Sequence, residues 1–398
     1  MNVVNHQIFG QNKNYGKLFL KTNSTSSDWK VKRIDLLHLE QYTIIDNVNS
    51  SVVKQGMLYN VDYSLSADLS QTSGDCSIYL DVDSMGSSAY LFSGWGTNSM
   101  LTFIDFDVLP ILKTFLYYST GTLSVSGNLL NLENFKSYTA TYSGLDFSQT
   151  TKLKTFIIYG NVNFDIEVDI SNNPNLYKYS TNIYSSKFSV SNHRFLHELK
   201  FPDIVSLGID PNINTTYLPN LRVLTLTATN YQYYDFNQRD LSLVTYLGIK
   251  TASSIGFETL TSLKTLIIYD RTGTSLEIGL IPNLEKLTIK EAFEVSSFNL
   301  QNVSLKELTI EKCKEITVLD LTSLLSLTKF WFKYGQYSLT DIIIDNGLNS
   351  QITQFKRSYA FNTTNVKVDD PIAANNGDAP YLPTVWEEYI TYNSWNFV

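Results

Sequence analysis

The sequence of 398 residues predicts a mostly β protein, in which a solenoid of parallel strands follows a small N-terminal β-sandwich-like domain. The main observation is the pattern Leu-x-x-Leu-x-Ile, which recurs in twelve near-copies along the last three quarters of the chain. The copies begin 19 to 25 residues apart, a period typical of repeat proteins whose coils stack on one another. Their first residues are 112, 132, 153, 176, 196, 221, 244, 263, 284, 305, 327 and 352.

Each copy predicts a loop residue followed by a short strand. The second and third apolar residues are two positions apart, so they point to the same side of that strand. One coil cannot bury this row alone, whereas stacked coils with strands about 4.8 Å apart enclose a continuous apolar core. The side chains expected in one buried column are Leu224, Leu266, Leu287, Leu308 and Phe330.

A second extended segment follows half a coil later in many copies, as in residues 319–322. Together with the next copy, residues 319–330 spell Leu-Asp-Leu-Thr-x-Leu-x-x-Leu-x-x-Phe. This motif resembles bacterial leucine-rich-repeat surface proteins, the two-strand type with repeats of about 21 residues found in gut anaerobes and their phages. The resemblance covers about 250 residues. It implies a leucine-rich-repeat solenoid with parallel β ladders and a binding or structural role, but it names no ligand.

The repeat divides the chain into three predicted domains. Residues 1–105 lack the repeat, and their alternating segments at 61–69 and 76–83 predict a small β domain, a candidate attachment module. In this region only residues 33–41 favour a short helix. The solenoid is predicted at 106–360, and the aromatic-rich residues 361–398 predict a C-terminal cap over the last coil.

Composition restricts the partners. The net charge is −8 with a pI near 5.1, which argues against a nucleic-acid partner because phosphate backbones need a basic stripe. No run approaches 18 apolar residues, so we expect no membrane insertion. The first residues lack the apolar core of a signal peptide, so we expect no export signal. Two cysteines, Cys76 and Cys313, exclude a disulfide framework.

Three patterns that could carry chemistry favour structural interpretations. Residues 81–92 begin like a calcium loop but end on Phe92 where a glutamate is needed. His193 and His197 have helical metal-site spacing, yet they fall in a predicted turn and strand. The carboxylate row Asp165, Glu167 and Asp169 has no adjacent cleft and is better interpreted as a solvated strand face. We therefore predict no catalytic residue, no metal, no cofactor and no enzyme.

Aligned copies place outward-facing residues in rows across the strands. Lys286, Glu307 and Lys329 form one row; Lys290, Glu311 and Lys333 form another; and Thr288, Thr309 and Trp331 lie between them. Alternating charges on neighbouring strands favour this register. Exposed aromatic groups on such a face are typical of a partner surface, although ordinary exposed apolar residues explain them equally well. The predicted binding surface comprises Tyr159, Tyr246, Tyr269, Trp331, Lys290, Glu311 and Lys333.

These observations favour a non-enzymatic structural or binding protein. Our first hypothesis is a bacteriophage virion component, such as a fibre, decoration or host-binding protein, assembled in the host cytoplasm. Its partners would be other virion proteins or a host surface protein or glycan. The sequence leaves open whether the chain forms a homo-oligomer. The alternative is a bacterial leucine-rich-repeat adhesin on the cell surface. A third hypothesis, a polysaccharide-active enzyme on a β-solenoid, lacks a converged acid and base pair.

Overall fold

The computed structural model is built mainly from β-strands, which fall in two compact units. The first unit comprises residues 1–176 and 181–192, and the second comprises 177–180 and 193–398. The structure describes residues 16–22, 29–34, 40–58, 64–68, 70–73, 75–82, 90–93, 101–105, 113–118, 122–126, 129–138, 141–159, 163–164, 168–170, 172–181, 186–187, 193–201, 218–226, 233–235, 240–250, 253–255, 257–269, 275–278, 281–300, 304–333, 338–358, 364–389 and 395–398.

The first unit begins with two antiparallel sheets, as the alternating segments predicted. Their strands are β1 (Gly16–Thr22), β2 (Trp29–Ile34), β3 (Glu40–Asp46), β4 (Ser51–Leu58), β5 (Ser64–Ala67), β6 (Cys76–Val82), β7 (Tyr90–Ser93) and β8 (Leu101–Asp105). The antiparallel strands of one sheet have the order β4-β3-β6-β1-β8, and those of the other have the order β5-β2-β7. The predicted helix at 33–41 is wrong at both ends, because Arg33 lies in β2 and Glu40 begins β3. Pairing with distant strands outweighed the local helix preference.

A first ladder of parallel strands carries the Leu-x-x-Leu-x-Ile segments in each unit, in register throughout the described pairs. In the first unit its strands are β9 (Thr114–Tyr118), β11 (Asn134–Tyr138) and β13 (Thr155–Tyr159). In the second unit they are β16 (Lys178–Ser180), β18 (Glu198–Phe201), β19 (Val223–Leu226), β21 (Tyr246–Lys250), β23 (Thr265–Tyr269), β25 (Lys286–Lys290), β27 (Glu307–Glu311), β29 (Lys329–Lys333), β31 (Gln354–Ser358) and β33 (Trp386–Tyr389).

A second set of shorter parallel strands forms half a coil later, as predicted. In the first unit these are β10 (Thr122–Ser126), β12 (Thr141–Ser143), β14 (Asn163–Phe164), β15 (Val168–Asp169) and β17 (Ser186–Lys187). In the second unit they are β20 (Tyr233–Asp235), β22 (Ser253–Ile255), β24 (Ser275–Ile278), β26 (Ser297–Leu300), β28 (Val318–Asp320), β30 (Asp341–Ile343), β32 (Thr364–Lys367) and β34 (Trp395–Phe397). The mostly β fold with parallel ladders is therefore confirmed, and its coils fit the leucine-rich-repeat type of solenoid.

Strand β8 joins the N-terminal sheet to the coils. It pairs antiparallel with β1 on one side and parallel with β10 on the other. One sheet therefore contains both the antiparallel strands and the first strands of the second ladder. The predicted domain boundaries at residues 105 and 361 stay predictions.

The repeat leucines form the core. Each described first residue of a copy, from Leu132 to Ile352, is at most 5% exposed; Leu112, the first residue of the earliest copy, lies outside the described residues. The predicted column of Leu224, Leu266, Leu287, Leu308 and Phe330 is confirmed, since none of these side chains is more than 1% exposed. Burial of each such side chain stabilises the fold by about 1.5–3 kcal/mol.

Asparagines in the turns tie successive coils together. In three copies the sequence Pro-Asn-Leu leads into the strand, and the asparagine Nδ2 donates to a backbone carbonyl of the preceding coil. The bonds are Asn220 to Arg194 at 2.9 Å, Asn283 to Thr261 at 2.7 Å and, in the first unit, Asn175 to Thr151 at 3.1 Å. This role was not predicted, although Pro-Asn-Leu recurs in the sequence.

The aspartate of the motif at 319–330 forms hydrogen bonds within a turn. The Asp320 carboxylate accepts hydrogen bonds from the Thr322 backbone N–H at 2.9 Å and from its hydroxyl at 2.6 Å. Asp240 makes the same two contacts with Ser242. Asp320 therefore ends the second-ladder strand β28, and both aspartates start the turn toward the next repeat leucine, as short polar side chains do in turns.

The C-terminal segment adds strands to both ladders. Strand β33 pairs with β31, and β34 pairs with β32. The Trp386 ring is buried and stacks on Phe355, with centroids 4.3 Å apart. A helix, α1 (Pro371–Asn376), lies between these strands, and the Asp370 carboxylate caps its N-terminus. Residues 361–398 therefore continue the stack by a coil, and their role as a cap stays a prediction.

Candidate functional site

The most regular surface of the second unit is the outward side of its first ladder. We define the ladder face as the outward side chains of β23, β25, β27 and β29, together with the residue that precedes each strand. The pairing register confirms the predicted outer rows, with Glu307 between Lys286 and Lys329, and Glu311 between Lys290 and Lys333. Tyr269 extends the second of these rows.

The row of Lys286, Glu307 and Lys329 is an ion-pair ladder. The Glu307 carboxylate lies 3.0 Å from the Lys286 ammonium and 2.7 Å from that of Lys329. The hydrogen bond from Lys329, followed by that from Lys286, holds the pKa of Glu307 below its ordinary value. Because these side chains are partly exposed, each pair contributes about 0–1 kcal/mol and sets register more than stability.

A further charged row was not foreseen. Glu285 lies 3.5 Å from Lys264 and 3.3 Å from Lys306, and these three residues immediately precede β25, β23 and β27. Hydrogen bonding and charge from Lys306 are the largest causes that lower the pKa of Glu285. The signal was available in the sequence, because each of the three residues directly follows the first leucine of its copy.

The aromatic groups lie beside the other lysine row. The Lys333 ammonium lies 3.5 Å from the centroid of the Trp331 ring, and Lys290 lies 5.8 Å from that of Tyr269. Lys290 also approaches the Glu311 carboxylate at 3.7 Å. Trp331 is 37% exposed, so its ring combines contact with a cation and access to solvent.

The middle row forms a shallow trough. Ile267, Thr288, Thr309 and Trp331 are successive partners in this row. Thr288 is 7% exposed although it faces outward, because its short side chain lies between two rows of longer ones. We call the row from Ile267 to Thr309 the trough. The row of Lys286 and the row of Lys290 border it, and Trp331 lies at its end.

The predicted tyrosine anchors are only partly brought together. Tyr246 lies on β21 in the row of Lys286 and is half-buried; burial, followed by the nearby Tyr269 and Glu198, raises its pKa. Tyr246 therefore lies one coil from Tyr269. Tyr159 ends β13 in the other unit, and its side chain lies outside the described residues.

The patterns that could bind metal form no such site in the described part of the chain. His193 is buried in a turn, and the His197 ring stacks on Tyr177 with centroids 5.0 Å apart. No group of three or more metal-ligating side chains occurs among the described residues. Asp165 and Glu167 of the carboxylate row lie outside them. Nor does any helix among the described residues have the length and apolar character needed to cross a membrane.

The chain has a distant structural likeness to a solved bacterial protein. The functional domain of InlJ from Listeria monocytogenes, which includes a cysteine ladder, is 18% identical with a TM-score of 0.44. The match covers 72% of this chain and 65% of the InlJ chain, so this chain spans less than two thirds of it. No family model and no curated protein matches. At this identity and TM-score the likeness carries no functional information, and with two cysteines this chain has no cysteine ladder of its own.

Proposed function

We propose that this chain is a non-enzymatic binding protein whose ladder face holds a protein or glycan partner. One observation carries the proposal: a solenoid sets Tyr269, Trp331 and the lysine rows at regular spacing on one side of a wide, rigid sheet. Exposed aromatic side chains supply much of the binding energy at interfaces. Such a surface suits recognition of an extended partner better than enclosure of a small substrate.

We further propose the bacterial cell surface as the setting. The resemblance to bacterial leucine-rich-repeat surface proteins rests on residues 319–330, and these residues form a strand, an aspartate turn and a second strand, as that resemblance implies. The bacteriophage virion hypothesis has no comparable support. Immunogold labelling of producing cells tests the setting, and recovery of the chain in purified virus particles would favour the virion hypothesis instead.

The binding role is tested with labelled protein on a panel of cells, measured by flow cytometry. The double variant Tyr269→Ala/Trp331→Ala should weaken binding by about 2 kcal/mol, or about thirtyfold in Kd. The control, Phe293→Ala/Leu325→Ala, removes two exposed apolar groups outside the ladder face and should bind normally. Equal binding by both variants would contradict the proposal, as would release of product when the protein is incubated with polysaccharides.

A further inference from the structure

The ladder face has a charge opposite to that of the unit that carries it. The second unit contains 18 basic and 22 acidic residues, a formal charge of −4. Within the ladder face, six lysines accompany three glutamates, a formal charge of +3. The members are Lys264, Lys286, Lys290, Lys306, Lys329, Lys333, Glu285, Glu307 and Glu311. Positive charge is thus concentrated on one side of an acidic unit.

Ion pairing leaves this excess in place. Glu285 and Glu307 each lie between two lysines, so each group of three keeps one positive charge. Lys333 lies over the Trp331 ring, and no carboxylate oxygen of the described residues lies within ion-pair distance of its ammonium. Lys333 therefore offers a cation that a ligand anion can approach beside an exposed aromatic ring.

The trough has the shape of a track for a linear chain. Its floor of Ile267, Thr288 and Thr309 crosses neighbouring strands at a spacing of about 4.8 Å per coil, and Trp331 stands at one end. Lysines recur on both sides of it, in the row of Lys286 and the row of Lys290. A polymer lying along the trough would meet two lysines beside Thr288 and two more beside the Trp331 ring at its end, with Glu307 and Glu311 between these pairs.

From this arrangement we infer that the trough binds a linear acidic polysaccharide, a proposal that rests on the binding role of the ladder face. Ammonium groups pair with uronate or sulfate groups, threonine hydroxyls bond to sugar hydroxyls, and aromatic rings stack on the apolar faces of sugars. A peptide that adds as a strand needs an open sheet edge, but β25 and β27 are paired on both sides.

The test is titration of the full chain with polygalacturonate, hyaluronate, dextran sulfate and neutral dextran, measured by biolayer interferometry at low and moderate salt. The acidic polymers should bind with an affinity that falls as salt increases, and dextran should not bind. Lys290→Gln/Lys333→Gln should weaken binding at least about tenfold. Circular dichroism confirms that the variants stay folded.

A matched control removes the same charge elsewhere. Lys314 lies over the Phe293 ring beyond the end of β27, and Lys367 pairs with Asp345 at the end of β32. Lys314→Gln/Lys367→Gln should change the affinity less than about twofold, because neither lysine borders the trough. An equal loss in the control would overturn the assignment to the trough.

Two further outcomes separate this inference from the proposed function. If polyglutamate or single-stranded DNA displaces the polysaccharide at equal charge concentration, the face is a general anion surface and the polysaccharide assignment is wrong. If the wild-type chain binds none of the acidic polymers while Tyr269→Ala/Trp331→Ala still loses cell binding, this inference fails and the proposed function stands.

Discussion

Replacement of Leu287 by alanine tests the inward column most directly. The side chain is fully buried and lies between Leu266 and Leu308 of the neighbouring coils. The substitution removes three carbon groups, worth about 2.4 kcal/mol at about 0.8 kcal/mol per buried CH₂. Neighbouring strands are held by hydrogen bonds on both sides, so the cavity will close only partly. We therefore expect the free energy of unfolding to fall by about 3–4 kcal/mol.

The control is the same substitution at an exposed leucine of the same unit. Leu325 is 49% exposed, so Leu325→Ala should change the free energy of unfolding by less than about 0.5 kcal/mol. Urea titration followed by circular dichroism measures both variants. If the two substitutions shift the midpoint equally, the proposed register of the column is wrong. Leu287→Asp, which places an unpaired charge in the core, should unfold much of the array.

The two cysteines report where unfolding occurs, which matters because repeat arrays need not unfold in one step. Cys313 lies in the second unit and Cys76 in the first, and both are buried. Burial raises the pKa of the Cys313 thiol to about 12, so little reactive thiolate forms while the fold is intact. Leu287→Ala should make Cys313 alkylate at lower urea concentration. Mass spectrometry distinguishes this from reaction at Cys76.

Three further perturbations test other parts of the fold. Asn283→Ala removes the bond to the Thr261 carbonyl and should lower the free energy of unfolding by about 1 kcal/mol in urea titration; an unchanged midpoint would contradict a stabilising role. The hydrogen bond from the Ser73 hydroxyl is the largest cause that lowers the pKa of Asp46. The ionised Asp46 carboxylate therefore stabilises the fold above the ordinary aspartate pKa, and this stabilisation is lost as pH falls. Hydrogen-exchange protection of the Ser73 amide should drop on acidification of the wild-type protein. In Asp46→Asn this protection should be low at every pH. Deletion of residues 361–398 should expose the last coil and cause aggregation in size-exclusion chromatography, whereas an equally stable monomer would indicate that these aromatics face a partner.

The sequence by itself determined the ladders and the rows of the candidate surface. In a parallel, in-register stack, residues at the same place in each copy become neighbours, so repeat spacing alone aligns Lys286 with Glu307 and Thr309 with Trp331. The same logic placed Leu287 and Leu308 inward. Such positions are predictable because side chains alternate in direction along a strand and the repeat period fixes which residues are neighbours across strands.

Only the tertiary structure decided how individual side chains use those positions. Alignment places Lys333 beside Glu311, yet its ammonium lies over Trp331, while Glu311 approaches Lys290. Exposed long side chains choose among partners that differ by about 0–1 kcal/mol, and the choice depends on neighbours in adjacent coils. The double pairing of β8 likewise depends on strands distant in the chain. A linear pattern records which residues recur, but not which of several nearby contacts has the lowest free energy.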